Sequence, residues 1–144
     1  MKRYIWRVCS TLGLILAATA VGAGDFDGSR PLLVAVNRVM ECTPADACRE
    51  VTPASVQLPQ FLRIDFTKKA ILPARADDKF PASTIERQEV VDGKLILQGA
   101  EDGYEKMRDG LGWTMAISAE SGQVVLTASG DQVAFVVFGE ALPQ

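Results

Sequence analysis

The stretch from Trp113 to Phe138 constrains this chain more than any other. Three alternating apolar and polar runs are separated by Ser121-Gly122 and by Gly130-Asp131. Glycine in a two-residue hairpin loop supplies the positive φ that such turns need. With two-residue loops at both places, Ala119 pairs with Val124, Ile117 with Leu126 and Met115 with Ala128. In the next hairpin Ala128 pairs with Val133, Leu126 with Phe135 and Val124 with Val137. One face then collects Trp113, Met115, Ile117, Ala119, Val124, Leu126, Ala128, Val133, Phe135 and Val137, with no polar side chain among them. The other face carries Thr114, Ser118, Glu120, Gln123 and Thr127. A slip of one residue would send the apolar set to water, so pattern and turns specify the same register. The last strand differs, because Ala134, Val136 and Phe138 make its outer side apolar as well. Such a strand is either covered on both sides or presents a contact surface.

The first residues read as a secretory leader rather than as part of the fold. Lys2, Arg3 and Arg7 precede an apolar run from Val8 to Val21, and Val21-Gly22-Ala23 forms a small-residue cleavage site. The run is short for a membrane-spanning helix, which needs roughly 20 residues. Residues 1–23 are therefore expected to be removed, taking Cys9 with them, and residues 24–144 to form one domain with no stable membrane span. The whole chain carries a net charge of −3, and loss of the three basic leader residues makes the remainder more acidic. A mildly acidic domain without a basic stripe argues against nucleic acid as a partner. The chain contains 0 histidines. That excludes Ser-His-Asp and Cys-His catalysis, histidine metal sites and a histidine pH switch.

Cys42 and Cys48 remain, an even count in an exported context, and are expected to form a disulfide. Thr43-Pro44-Ala45-Asp46-Ala47 between them is turn-forming. Redox pairs are commonly two residues apart, so a structural staple fits this spacing better. Upstream, Asp25-Phe26-Asp27-Gly28 lacks the further oxygens and closing Glu of a calcium loop and reads as a polar lead-in. Pro31 to Met40 is a strand with Leu32, Val34, Val36 and Met40 on one face, interrupted by Arg38. Arg49-Glu50-Val51 returns beside it. Thr52-Pro53 starts a helical turn, which Pro59 prevents from continuing.

Gln60 to Phe66 is a strand with Leu62, Ile64 and Phe66 inward. Phe61, Arg63 and Asp65 lie on the opposite face, where Arg63 and Asp65 can pair or contribute to a polar site at a barrel mouth. Asp92-Gly93 is the strongest turn signal in the chain and pairs Val90 with Leu95 and Gln88 with Leu97. The strand Ile85 to Glu89 is too polar to be central and is expected at a sheet edge. Ala100 to Gly112 reads as a long loop with Tyr104 and Met107 as its anchors. Its carboxylates Glu101, Asp102, Glu105 and Asp109, interleaved with Lys106 and Arg108, have no fixed geometry for a cation.

The patterns Cys42-x5-Cys48, Leu58-Pro59-x-Phe61-Leu62-Arg63-Ile64-Asp65-Phe66, Gly112-Trp113 and Ala134-Phe135-Val136-Val137-Phe138-Gly139 resemble a family of small exported bacterial proteins of unknown function. The resemblance spans residues 41–139. It implies export and a β fold and assigns no catalytic residue.

Short strands, tight turns and one helical turn predict an all-β domain: a small antiparallel meander barrel of about seven or eight strands, or else a two-sheet sandwich. The expected function is that of a non-catalytic binding or interaction module of the cell envelope, one version being a hydrolase inhibitor. Its contacts would come from Tyr104, Met107, Val136, Phe138, Arg63 and Asp65. The alternative is a carrier of a small apolar ligand in an interior lined by Trp113, Met115, Leu126 and Phe135. No cofactor or metal is expected. An enzyme would have to rely on a carboxylate pair such as Glu105 and Asp109, or Glu86 and Glu89.

Overall fold

In a computed structural model, residues 25–75, 80–103 and 110–144 are described. They form ten antiparallel strands: β1 (Leu32–Cys42), β2 (Arg49–Val51), β3 (Phe61–Asp65), β4 (Ala70–Pro73), β5 (Ser83–Thr84), β6 (Arg87–Val91), β7 (Lys94–Glu101), β8 (Leu111–Ser118), β9 (Gln123–Gly130) and β10 (Val133–Pro143). One 3-10 turn, Pro53–Val56, is capped by Thr52, whose side chain accepts from Ser55 N. The sheet runs β5-β4-β3-β1-β10-β9-β8-β7-β6, with β2 attached to β1. Its two ends, β5 and β6, are successive parts of one bent segment. At the bend Ile85 N donates to Lys69 O beside β4, and Glu86 N donates to Gln98 O on β7. Counting that segment once, the sheet is an up-and-down meander of eight staves, curled into a barrel with first and last strands paired. The meander barrel expected from the turn spacing is therefore the observed fold, and the sandwich is not.

The register of the C-terminal hairpins differs from expectation by two residues at each turn. Ile117 pairs with Val124 and Met115 with Leu126, while Phe135 pairs with Ala128 and Val137 with Leu126. The first connection is thus a four-residue turn, residues 119–122, closed by Gly122 N donating to Ser118 O. The second loop is Asp131-Gln132, with Gln132 at φ 61°. Ala119 consequently leaves the strand for the turn. A shift of two preserves which side each residue faces, so Trp113, Met115, Ile117, Val124 and Val137 are all buried as the alternation requires. The Asp92-Gly93 hairpin has the expected pairing, Val90 with Leu95 and Gln88 with Leu97, with both turn residues at positive φ. β6 is exposed along its whole length and lies at the edge of the sheet path, as its polarity indicated.

β1 contains a bulge between Val36 and Arg38. The extra residue, Asn37, reverses the facing of everything after it. Val39, not Met40, enters the core, and Val39 is fully buried. Gln60 covers the irregularity: its carbonyl accepts from Val36 N at 2.9 Å and its side-chain amide donates to Val36 O. The Cys42–Cys48 bond closes the loop at the turn end of the β1–β2 hairpin, next to the Glu41–Arg49 pair. The strand β10 continues past Phe138 to Pro143 against β1, and Ala141 is buried there. The Ala100–Gly112 loop is shorter than expected, because β7 runs to Glu101 and β8 starts at Leu111.

The two ends of the barrel are closed differently. At one end Phe26, from the segment before β1, is buried in the core. It lies against Gly122, where any Cβ would stand 2.6 Å from the Phe26 ring. The stretch read from sequence as a polar lead-in is therefore a plug. At the other end lie the β1–β2 hairpin, the 3-10 turn and the β9–β10 loop.

Candidate functional site

The second end of the barrel contains an apolar cavity of about 130 Å³. Its walls follow from strand parity. Inward positions alternate, so β8 contributes Leu111 and Trp113, β9 Leu126 and Ala128, and β10 Phe135 and Val137. Val39 reaches it only because of the bulge in β1. The 3-10 turn and the residues after it add Val56 and Leu58 to the lining, and Phe80 adds to it as well. Phe80, Leu111 and Phe135 are only partly buried, so the cavity is reachable from the surface.

Trp113 is fixed at the wall by two contacts. Its Nε1–H donates to Ser83 Oγ at 2.9 Å within the core. Its ring covers Gly99, its cross-strand partner on β7. A Cβ at Gly99 would lie 2.5 Å from the indole and 2.3 Å from Thr84 O, so only glycine lets β5, β7 and the ring meet. This is the place where the bent 83–91 segment joins the two halves of the sheet.

Two polar residues line the cavity, Ser83 and Glu101. The Ser83 hydroxyl is engaged by Trp113. Glu101 occupies the next inward position along β7 after Leu95, Leu97 and Gly99. It is partly buried at the rim. No ion pair or side-chain hydrogen bond of Glu101 occurs among the described residues, and no group of three potential metal ligands occurs among them.

Of the residues singled out from sequence, Tyr104 and Met107 lie outside the described residues, as do Glu105 and Asp109. Trp113, Leu126 and Phe135 do line the cavity, whereas Met115 lies in packed core with 1% exposure. Val136 and Phe138 sit on the outer wall. Phe138 is 40% exposed and pairs across the strands with Val125, itself 40% exposed. Arg63 is also on the outer wall. Asp65 is buried and does not take Arg63 as its close partner. Lys68 N donates to its Oδ1 at 3.0 Å, and the Lys68 ammonium is 3.6 Å from Oδ2. These contacts, the backbone hydrogen bond first, hold the Asp65 carboxyl below its ordinary value. They close the β3–β4 turn, away from the cavity. Glu101, Ser83, Phe80 and Val39 were not grouped by sequence. The alternation Leu95-Leu97-Gly99-Glu101 carries the signal for Glu101, which the loop assignment obscured.

No helix among the described residues is long and apolar enough to cross a membrane. Comparison with family models, with curated proteins and with solved structures finds no match to this chain.

Proposed function

We propose that this chain is an exported, non-catalytic binding module of the cell envelope that receives a small apolar group in the open end of its barrel. The observation that carries this reading is the cavity itself. An eight-stave barrel is just wide enough either to fill with side chains or to hold one small ligand. Here the Phe26 end is filled and the Trp113 end is not. About 130 Å³ of apolar space is close to the size of a protein cavity that takes up benzene, roughly 150 Å³. Export is supported by the leader-like start of the sequence and by the Cys42–Cys48 disulfide.

The test is a toluene titration of the protein, followed by calorimetry and by fluorescence of Trp113. Saturable binding is expected in the wild type. Ala128→Leu, which projects a larger side chain into the cavity, should abolish it while leaving the circular dichroism spectrum unchanged. Absence of saturable binding, or binding indifferent to Ala128→Leu, would overturn the reading. A protein partner on the outer wall is a second reading, supported by the exposed Phe138–Val125 pair.

A further inference from the structure

We infer that the group received in this cavity carries a cation: an apolar stem of about benzene size ending in a primary ammonium. The inference rests on the binding function proposed above and names its ligand class. Three observations carry it. The cavity wall is apolar except at Ser83 and Glu101, and the Ser83 hydroxyl already accepts from Trp113. Among the described residues Glu101 is the one ionisable group in the lining. It stands at an inward-facing position, where the alternation of β7 otherwise places Leu95, Leu97 and Gly99.

A carboxylate at an inward position of a small barrel carries a desolvation cost that leucine would not. The described residues supply no counter-ion to offset it. Elsewhere Glu41, Glu50 and Glu89 have arginine partners, Arg49, Arg38 and Arg87. A ligand ammonium at the rim would supply what the described residues do not, in a charge-assisted hydrogen bond to the carboxylate. Its stem would lie between Trp113, Leu126 and Phe135. The indole and phenyl rings add attraction for a cation near their faces. A carboxylate or phosphate on the ligand would meet Glu101 with like charge, so anionic amphiphiles are disfavoured.

The experiment compares benzylammonium, benzyl alcohol and benzoate by calorimetry on the wild type and on Glu101→Gln. All three share one ring, so the cavity contribution is nearly constant across them. The wild type should bind benzylammonium at least tenfold more tightly than benzyl alcohol, with benzoate weakest. In Glu101→Gln that preference should collapse to less than twofold. Glu101 is partly exposed, so this variant is expected to melt with the wild type. Equal affinity for benzylammonium and benzyl alcohol would overturn the inference while leaving the binding site standing, as would a preference that survives in Glu101→Gln. Failure of all three to bind, together with failure of toluene, would remove the site and the inference alike.

Discussion

At the scale of single residues, two positions show how local chemistry is fixed by distant contacts. Gly99 lies in the middle of a strand, where glycine ordinarily weakens pairing. The indole of Trp113 fills the space above it and reaches on to Ser83, so three segments meet where one side chain is missing. Gly99→Val should destabilise the protein by about 3 kcal/mol, at the upper end of overpacking costs, measured by urea unfolding followed at Trp113. Asp65 supplies a second test. Its carboxyl is held below the ordinary value by the backbone N–H of Lys68 first and by the Lys68 ammonium after it. A folded-state value below the unfolded one adds stability above the ordinary carboxylate range. That stability is lost as pH falls through the folded value. The advantage of the wild type over Asp65→Asn in unfolding free energy should therefore be full above about pH 5 and shrink steadily below about pH 4. A difference that stays flat from pH 6 to pH 2 would show that the ionised form makes no special contact.

The element that decides most is β1. It pairs with β10 along one side, and with β3 and then β2 along the other. Its bulge absorbs Asn37 as an extra residue, so both halves present apolar side chains inward, Val34 and Val36 before it and Val39 after it. Deleting Asn37 would restore plain alternation and leave Val36 and Val39 inward and Arg38 outward, as they stand in the bulged strand. Cooperative urea unfolding is expected to persist, with a loss of no more than about 2 kcal/mol, and loss of cooperativity would show that the bulge itself is required. Beside it, the disulfide closes a short loop in the β1–β2 hairpin. Such a closure stabilises by roughly 2 kcal/mol in the chain-entropy model. Thermal melting with and without reductant should show a shift of several degrees toward lower temperature on reduction.

For the whole molecule, the consequence of the fold is an asymmetry between its ends. Phe26 fills one and an apolar cavity occupies the other. The two should respond independently, as sites without shared contacts do. Phe26→Ala should cost about 3 kcal/mol of stability, as truncation of a buried aromatic does. In the folded protein it should leave toluene affinity within twofold of wild type. A large change in affinity would mean that the plug and the cavity communicate through the core. The split at the bent 83–91 segment is where the barrel is least continuous, since β6 has β7 on one side and ends the sheet path on the other. Hydrogen exchange should find the β6 amides the least protected of the strand amides.

Much of this architecture is legible in the chain alone. Alternation with a period of two determines which side each residue of β7 to β10 faces, and Asp92-Gly93 determines its hairpin to the residue. Both are local properties of the backbone, so a register offset by two changed partners without changing faces. The polarity of residues 86–89 marked an edge, and Cys42 and Cys48 marked a staple. The tertiary structure decided what depends on segments far apart in sequence. The bulge at Asn37 required Gln60 and β10 to define it, and the plug at Phe26 required a turn almost a hundred residues away. The cavity exists because strands from both ends of the chain close around it, leaving Trp113 over Gly99 and Glu101 facing inward. No run of neighbouring residues contains that information, since the free energy that selects it comes from burying surfaces that meet only when the sheet curls.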